Sequence, residues 1–351
     1  MEPTSPATTD EVLDRLRSAL AGHRRPLVVG GYGCGNTGDE AILSVLLDDL
    51  RRLNVAPRVL SAGPAQTART HRLPAYDATP GGVLRALAAS DALVIGGGGI
   101  FSAYMGPRSR NLPSLARLAK LLRRPVIFRA LGAYATTPPA VARALVRSME
   151  RADFVSVRDE ASVRALRGFG LRRELILEDD PALRLPVAPD ERPRRPGRVG
   201  VAVRRVRAAE VQPRLAAELV AFLDQLTASG RTPVLLPFSM HPSEAVEQDD
   251  AYARELRGRC IRPDAVIIAE HSDPHEMLRA VQSLDAIVAM RFHAIIFAAI
   301  AGTPAIALPY DDKCRAFLER RAPHIAIAEI ETLTAGSLFD ALPLASLQAA
   351  A

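Results

Sequence analysis

The segment Met290-Arg-Phe-His-Ala294 places an arginine and a histidine directly after the apolar run Ala286–Ala289. That run is typical of a buried strand, and the apolar residues after the segment predict a packed helix. His293 would then stand at a strand-to-helix junction, on the edge where parallel α/β sheets bind ligands. Burying Arg291 without an anionic partner is costly. We therefore expect both side chains in a functional site, although a capping or core histidine fits the same pattern.

A lysine follows the next predicted strand. Ala305–Leu308 is apolar, and Pro309-Tyr-Asp-Asp-Lys313 leads from it into a helix. Lys313 is therefore expected at the same sheet edge as His293, one strand over. An isolated lysine in this position would be an ordinary solvated side chain. Together with a histidine at an equivalent strand end, it can bind a phosphate or a carboxylate.

A glycine-rich turn, Gly30-Gly-Tyr-Gly-Cys-Gly-Asn-Thr-Gly-Asp-Glu-Ala-Ile42, follows the first apolar run and opens a helix. Glycines let a backbone approach a ligand closely, and the amides at a helix N-terminus bind anions. The expected ligand loop consists of Gly33, Gly35, Asn36 and Gly38. The GxGxxG spacing alone is a weak sign of nicotinamide binding. Moreover, Pro57–Ser61 lacks the carboxylate that would hold a ribose.

Two carboxylates begin the helix after this turn. Compensation of the helix dipole is enough to explain Glu40. Asp39 directly follows the glycines, so it either serves the dipole as well or faces a ligand and acts as a base. A second run, Ile95-Gly-Gly-Gly-Gly-Ile100, loses much entropy on folding. We expect Gly97 and Gly98 to approach a ligand, with a merely flexible loop as the alternative.

These residues need a scaffold of parallel strands. Short apolar runs alternate with amphipathic stretches such as Asp39–Leu53, and this alternation predicts a doubly wound α/β fold. In the first half, strands are expected at Pro26–Gly30, Pro57–Leu60, Ala92–Ile95, Pro125–Ala130, Phe154–Val157 and Leu175–Leu177. In the second half, they are expected at Val199–Val203, Pro233–Pro237, Ala265–Ile268, Ala286–Ala289 and Ala305–Leu308.

A proline-rich stretch divides the chain of 351 residues. This length exceeds the usual size of a single core, and Pro186–Gly197 has no apolar periodicity, as is typical of an interdomain linker. We expect an N-terminal helix or tail over 1–25 and a Rossmann-like domain over 26–185. A linker over 186–198 and a second Rossmann-like domain over 199–345 would follow. The two parallel sheets would face a central cleft.

The composition excludes several classes of protein. The net charge of +6 comes from dispersed arginines and fits either a compositional bias or an anionic substrate. Aromatic residues make up only 5% of the chain, which argues against a stacking platform for nucleic acid. Cys34, Cys260 and Cys314 are widely spaced, so neither a metal cluster nor a secreted disulfide framework is expected. The polar N-terminus and the short apolar runs predict a cytoplasmic protein.

Six ordered segments between about Val28 and Leu318 resemble the polysaccharide pyruvyl transferase family. They are Gly33-Cys-Gly-Asn-Thr-Gly-Asp-Glu-Ala-Ile-Leu43, Ile95-Gly-Gly-Gly-Gly99, Ser156-Val-Arg-Asp-Glu160, Asp180-Pro-Ala182, Met290-Arg-Phe-His-Ala294 and Pro309-Tyr-Asp-Asp-Lys313. The best-known members modify bacterial cell-wall polymers that anchor surface-layer proteins. The resemblance implies a fold similar to two-domain, GT-B-like glycosyltransferases, with the site between the domains.

The resemblance also implies a reaction. A pyruvyl group would pass from phosphoenolpyruvate to a sugar of a cell-wall or exopolysaccharide precursor, forming a cyclic ketal and releasing phosphate. By position, the functional residues of the family fall on Asp39, Arg158, His293 and Lys313. Arg158 and Lys313, together with Arg291, would bind the donor. His293 would protonate it or contact its phosphate, and Asp39 would deprotonate a hydroxyl.

Several alternatives stay open at this point. Arg129, Arg204 and Arg205 compete with Arg158, and Leu131-Gly-Ala-Tyr134 replaces a glycine-rich continuation found in many members. A nucleotide-sugar-dependent glycosyltransferase and a non-catalytic sugar- or nucleotide-binding protein are the rival interpretations. No metal and no cofactor are expected beyond the donor substrate. The expected partner is a carrier-linked sugar and not a nucleic acid, while homo-oligomers and peripheral membrane association through a lipid-linked acceptor remain open.

Overall fold

The computed structural model describes residues 5–101, 107–189, 196–242, 244–271 and 273–342, with side chains for all of them except 100, 101 and 107–110. The chain divides into two compact units. The first unit comprises Met1–Cys34 and Asp39–Leu185, and the second comprises Gly35–Gly38 and Pro186–Ala351. The predicted boundaries assigned Gly35–Gly38 to the first domain, whereas these four residues group with the second unit.

The first unit contains seven parallel strands. They are β1 (Pro26–Val29), β2 (Arg58–Ser61), β3 (Ala75–Asp77), β4 (Ala92–Phe101), β5 (Val126–Ala133), β6 (Phe154–Val157) and β7 (Ile176–Leu177). Their order in the sheet is β3-β2-β1-β4-β5-β6-β7. The order reverses between β1 and β4, which pair directly, from Pro26 with Ala92 to Val29 with Ile95.

Helices cover both faces of this sheet. They are α1 (Thr9–Ala19), α2 (Thr37–Arg52), α3 (Pro64–His71), α4 (Pro80–Ala88), α5 (Pro107–Leu121), α6 (Pro139–Met149) and α7 (Glu160–Gly168). Successive strand side chains point to opposite faces. Val28 accordingly packs in one apolar cluster with α1 and α2. Leu27 and Val29 pack in another cluster with α4 to α7.

The second unit contains six parallel strands. They are β8 (Arg198–Ala202), β9 (Thr232–Leu235), β10 (Ile267–Ile268), β11 (Ala286–Ala289), β12 (Ala305–Ala307) and β13 (Ala326–Ile327). The helices are α8 (Gln212–Ala228), α9 (Asp249–Arg259), α10 (Pro274–Gln282), α11 (Phe292–Ala301), α12 (Asp312–Arg321) and α13 (Ala335–Ala341). The strand order is β10-β9-β8-β11-β12-β13, with its reversal between β8 and β11. The predicted α/β class with two parallel Rossmann-like sheets is confirmed.

The structure differs from the sequence predictions in a few elements. The four glycines after Ile95 belong to β4, where the pairing with β5 becomes irregular between Gly98 and Phe101. Neither β3 nor β13 was predicted: β3 consists of three half-buried residues, and β13 consists of only two residues, both exposed. Of the predicted linker 186–198, residues 190–195 lie outside the described residues, and β8 begins at its last position.

Among the helices in the described parts of the chain, none has both the length and the apolar character needed to traverse a lipid bilayer.

Candidate active site

In both units, the motifs that carry chemistry lie where the strand order reverses. In the first unit, the glycine-rich turn follows β1, and the second glycine run lies in its neighbour β4. In the second unit, Arg204 follows β8 by two residues, and His293 follows the neighbouring strand β11. Doubly wound sheets bind ligands at the carboxyl ends of the strands on either side of such a reversal. Each unit therefore carries a candidate ligand site of its own.

The predicted loop residues Gly35, Asn36 and Gly38 are held in one backbone conformation. The amide of Met240 donates to the carbonyl of Gly35 at 2.8 Å. Gly35 has a φ of +77°, and a Cβ there would lie 2.9 Å from the Met240 carbonyl oxygen. Oδ1 of Asn36 accepts a hydrogen bond from the amide of Gly38 at 3.0 Å, which caps the start of α2. Two loop residues therefore shape the backbone around Gly38.

His293 lies in the first turn of α11 and packs against this loop. A Cβ at position 38 would overlap the imidazole ring, so only glycine leaves room for the histidine. Nε2 of His293 is buried, and the ring of Phe292 stands edge-on to the imidazole with 5.3 Å between centroids. The second unit therefore brings together two predicted site residues, His293 and Gly38, that are far apart in the sequence.

Asp39 lies against the second glycine run. A Cβ at Gly98 would stand 2.5 Å from Oδ1 of Asp39, so a side chain there would displace the carboxylate. Gly97 and Gly98 have φ values of +68° and +77°, which other residues adopt only with strain. Because Gly98 has no side chain, the carboxylate of Asp39 can pack directly against the backbone of β4.

Glu40 does more than compensate the helix dipole. Its Oε1 accepts a hydrogen bond from the amide of Gly33 at 2.7 Å, and Gly33 itself has a φ of +75°. Its Oε2 lies 3.8 Å from Nε2 of His71, a buried residue at the end of α3. The carboxylate of Glu40 therefore holds the backbone of the first glycine turn in place. Nothing in the sequence connects His71 with this turn, because α3 is separate from both glycine motifs.

Arg158 is buried among carboxylates. Its Nη1 donates to Oδ2 of Asp180 at 2.8 Å, and its Nε lies 3.7 Å from Oδ2 of Asp159. A Cβ at Gly132 would come within 2.9 Å of Nη2, so this glycine makes room for the guanidinium. Burial opposes the positive charge, yet Asp180 and the neighbouring Tyr134 hold the pKa of Arg158 above its ordinary value.

Tyr134 is a candidate that the motif argument missed. Its hydroxyl occupies the space where a side chain at Gly99 would stand, and Tyr134 is among the groups that raise the pKa of Arg158. It belongs to Leu131-Gly-Ala-Tyr134, the place where this chain departs from the glycine-rich pattern of the family. That departure was the available signal, because it puts a hydroxyl beside the glycines of β4.

Arg129, one of the alternatives to Arg158, is a structural residue. Its side chain is 1% exposed, and its Nη2 donates to Oδ2 of Asp49 at 2.6 Å. Arg184 donates to Oδ1 of the same carboxylate at 2.8 Å, and Glu178 lies 3.6 Å from Arg129. Although burial opposes ionisation, Arg184 and Arg129 lower the pKa of Asp49. This network ties α2 to β5, and the guanidinium of Arg129 is bound within it rather than directed to a substrate.

Arg291 has protein carboxylates as partners where the sequence argument expected a ligand anion. Nε and Nη2 pair with the two oxygens of Asp249 at 2.8 and 2.5 Å, and Nη1 donates to Glu247 at 2.6 Å. Burial raises the pKa of Asp249. Burial acts on Glu247 in the same direction, but Arg291 and Arg204 outweigh it and lower the pKa of Glu247. These contacts support a positioning role for Arg291 in place of the expected direct contact with the donor.

Two further cations lie at the strand ends of the second unit. Arg204 donates to Glu247 at 2.9 Å and stacks on Tyr310 at 4.8 Å from the ring centroid. Lys313 stands over Phe292, with Nζ 4.6 Å from the ring centroid and 3.8 Å from Oδ2 of Asp311. Phe292 thus contacts both Lys313 and the imidazole that follows it in the sequence. Lys313 and His293 were predicted to lie close to each other, and both of them contact the ring of Phe292.

The helices that carry these residues begin differently. Asp311 caps α12, because its side chain accepts a hydrogen bond from the amide of Cys314 at 2.9 Å. Arg291 precedes α11 and supplies no such cap. The first amides of α11 thus have no side-chain cap from Arg291, and helix amides of this kind can bind an anion. Among the described residues, no group of three or more His, Cys, Asp or Glu side chains is arranged to hold a metal ion.

The two parallel sheets and the ionisable clusters at their reversals define an α/β protein of the GT-B-like kind. Residues 36–312 match the family model described as polysaccharide pyruvyl transferase. The chain therefore belongs to this family, and the family indicates a transferase that acts on polysaccharide. A comparison with curated proteins found no match.

Solved structures support the fold. A UDP-GlcNAc 2-epimerase from Methanocaldococcus jannaschii is 12% identical with a TM-score of 0.58, covering 91% of this chain and 92% of that chain. A putative UDP-N-acetylglucosamine 2-epimerase from Listeria monocytogenes is 13% identical with a TM-score of 0.58, covering 93% and 89%. The enzyme from Neisseria meningitidis, bound to UDP-GlcNAc, is 12% identical with a TM-score of 0.55, covering 93% and 92%. At these identities the likeness concerns the fold alone.

Proposed function

We propose that this protein transfers a pyruvyl group from phosphoenolpyruvate to a carrier-linked sugar, forming a cyclic ketal and releasing phosphate. The observation that carries the proposal is the arrangement around Phe292, whose ring contacts both His293 and Lys313 at the ends of neighbouring parallel strands. An acid–base group and a cation at one sheet edge suit a donor that carries both a phosphate and a carboxylate. Membership of the family supports the same reaction.

The charges of the two clusters suggest where the donor binds. In the first unit, Arg158 is surrounded by the carboxylates of Asp39, Asp159 and Asp180. A donor with several negative charges would be repelled there. In the second unit, the carboxylates Glu247, Asp249 and Asp311 are matched by the cations Arg204, Arg291 and Lys313. We therefore assign the donor to Lys313, Arg204 and the first amides of α11.

The chemistry begins with a proton transfer. In our proposal, the imidazolium of His293 protonates the methylene carbon of phosphoenolpyruvate, and the electrons of the double bond form the new C–H bond. The adjacent carbon, which bears the phosphate oxygen, becomes cation-like. A sugar hydroxyl attacks this carbon while Asp39 takes the proton of that hydroxyl. General acid–base catalysis and positioning are the main contributions to the rate.

Closure of the ketal completes the reaction. A second hydroxyl of the same sugar attacks the same carbon, and the bond to phosphate breaks. The proton of this hydroxyl restores the imidazolium of His293, and the proton held by Asp39 leaves with the phosphate. Arg158 acts as a positioning residue in this scheme, because its guanidinium is already bound to Asp180. Cys34, Cys260 and Cys314 form no disulfide with one another, which suits a reducing compartment, and we propose that the reaction takes place in the cytoplasm.

Incubation of the full chain with phosphoenolpyruvate and a panel of carrier-linked sugars tests the proposal. We expect phosphate release that depends on the sugar, and a product whose mass corresponds to an added pyruvate ketal. The rival glycosyltransferase would instead release a nucleotide from a nucleotide sugar and leave phosphoenolpyruvate intact. A binding protein without catalytic activity would release neither. Either of these two results would overturn the proposed reaction.

A further inference from the structure

Three helices of the first unit carry charged residues of one sign only. Helices α4, α5 and α6 lie on the same face of the sheet, because their buried residues share one apolar cluster. Arg124, just after α5, donates to the carbonyl of Leu87 in α4 at 2.6 Å. The sequences of these three helices contain no Asp and no Glu, and they contain no aromatic residue. Every charged group that they carry is therefore basic.

Exposed leucines are concentrated on this surface. Seven large apolar side chains are exposed among the described residues, and four of them belong to α4, to α5 or to the residue that follows α5. Leu84 and Leu121 are 69% and 71% exposed, and Leu118 and Leu122 are 41% and 48% exposed. Leu118 and Leu121 lie on the exposed side of α5, away from its buried residues Leu112, Ala116 and Ala119. We call these four leucines, together with the basic residues Arg85, Arg117, Lys120, Arg123, Arg143 and Arg147, the leucine face.

The basic residues of the leucine face are mostly available to a partner. Lys120 pairs with Asp153 and Arg85 pairs with Asp77. Arg117, Arg123, Arg143 and Arg147 are exposed and form no ion pair with any described residue. The stretch from Asn111 to Arg124 therefore presents leucines and unpaired arginines on adjacent turns.

We propose that the leucine face binds the surface of a membrane rich in anionic lipid. A basic amphipathic helix lies in the interfacial plane, where its apolar side chains enter the acyl boundary and its arginines meet lipid phosphates. A second copy of this chain would be repelled by the same positive face. Single-stranded nucleic acid would call for aromatic side chains, which these helices lack.

The inference does not depend on the reaction, because it rests on exposed side chains of α4 to α6 and not on the residues of either cluster. It adds a location to the proposed function: a protein held at the surface of a bilayer meets an acceptor whose carrier is a lipid. Binding at this surface requires no helix that crosses the membrane.

Flotation of the full chain with vesicles tests the leucine face. We expect binding to vesicles of equal parts phosphatidylglycerol and phosphatidylcholine, and little binding to phosphatidylcholine alone. The double variant Arg117→Glu/Leu121→Glu should partition into the mixed vesicles about tenfold less well or worse, because it loses one inserted leucine and reverses one charge. High salt should weaken the binding of the unmodified chain.

A matched control changes an exposed apolar–basic pair in the second unit. The variant Ile261→Glu/Arg262→Glu makes the same change in charge, and Ile261 is 83% exposed. It should bind the mixed vesicles like the unmodified chain. Circular dichroism should show that both variants are folded, as all four positions are exposed. Failure of the unmodified chain to bind anionic vesicles, or equal loss of binding in both variants, would overturn the inference.

Discussion

The clusters of the two units occupy equivalent places in their sheets, yet they differ in side-chain packing and in charge. In the first unit, glycines at positions 98, 99 and 132 make room for Asp39, Tyr134 and Arg158. In the second unit, large side chains stack on one another, as Lys313 does on Phe292. The first cluster has an excess of carboxylates, whereas the second balances its carboxylates with cations. The same topology thus provides an acidic cluster in the first unit and, in the second, a cluster of balanced charge that suits an anion.

The comparison assigns separate tasks to the two clusters. Bases that activate a hydroxyl belong where carboxylates predominate, and a phosphate belongs where cations and helix amides meet. The following predictions test that division, beginning with the largest expected effect.

Replacement of His293 by alanine should reduce phosphate release by about 10²–10⁴-fold, the usual contribution of a general acid–base group. Because the side chain packs against Gly38, thermal unfolding should be recorded alongside activity to separate chemistry from stability. The exposed His324 serves as the control, and His324→Ala should be fully active. Near-normal turnover in a folded His293→Ala variant would remove this residue from the mechanism.

Asp39 and Lys313 should differ in the kinetic constant that they affect. Asp39→Asn should lower kcat and leave the KM for phosphoenolpyruvate nearly unchanged, since the carboxylate acts on the hydroxyl. Lys313→Ala should raise that KM about tenfold or more, because it removes a charge-assisted hydrogen bond. The chain has only one other lysine, and Lys120→Ala should leave both constants unchanged. If Asp39→Asn instead raised the KM and Lys313→Ala instead lowered kcat, the tasks assigned to the two clusters would have to be exchanged.

The glycines beside the two candidate catalytic groups can be tested in the same way. Gly38→Ala should displace the imidazole of His293, and Gly98→Ala should displace the carboxylate of Asp39. We expect both to lower kcat severalfold or more, with Gly98→Ala also losing stability because of its positive φ. Gly81 lies in the first turn of α4, and a Cβ added there would have no other atom within 4 Å. Gly81→Ala should therefore be active and slightly more stable.

Much of this arrangement is readable from the sequence, and the reasons for the exceptions are physical. Buried parallel strands such as β6 and β11 are nearly continuous apolar runs, so their limits match the prediction. The strands β3 and β13 are shorter, and neither has a buried side chain, so neither follows this pattern. The position of His293 at a strand end follows from βα periodicity. Its contact with Gly38 does not, because it depends on four loop residues that group with the second unit.

The arginines show where sequence reasoning reaches its limit. Arg129 and Arg158 both follow apolar residues of the first sheet, and only the fold reveals that Arg129 is bound to Asp49. Arg291 was correctly expected to have an anionic partner, but the partners, Asp249 and Glu247, come from a different part of the chain. Pairings between distant residues leave no periodic pattern.

The smallest expected effect on catalysis comes from the network around Asp49, which should affect stability instead. Asp49→Asn leaves Arg129 and Arg184 without their shared carboxylate, and we expect a loss of about 3–5 kcal/mol in the free energy of unfolding. Since the folded-state pKa of Asp49 lies below the ordinary 3.8, its stabilising contribution is complete above that pH and is lost on further acidification. Acid unfolding of the variant, followed by circular dichroism, should therefore depend less on pH in this range. An unchanged acid transition would contradict this prediction.

Direct binding of phosphoenolpyruvate tests the central claim, the assignment of the donor to the second unit. Isothermal titration calorimetry of the unmodified chain, Lys313→Ala and Arg158→Lys without a sugar acceptor provides the measurement. We predict that Lys313→Ala weakens binding about tenfold or more, whereas Arg158→Lys binds with nearly normal affinity because its site is already occupied by carboxylates. Normal binding by Lys313→Ala together with loss of binding by Arg158→Lys would contradict the account and move the donor to the first unit.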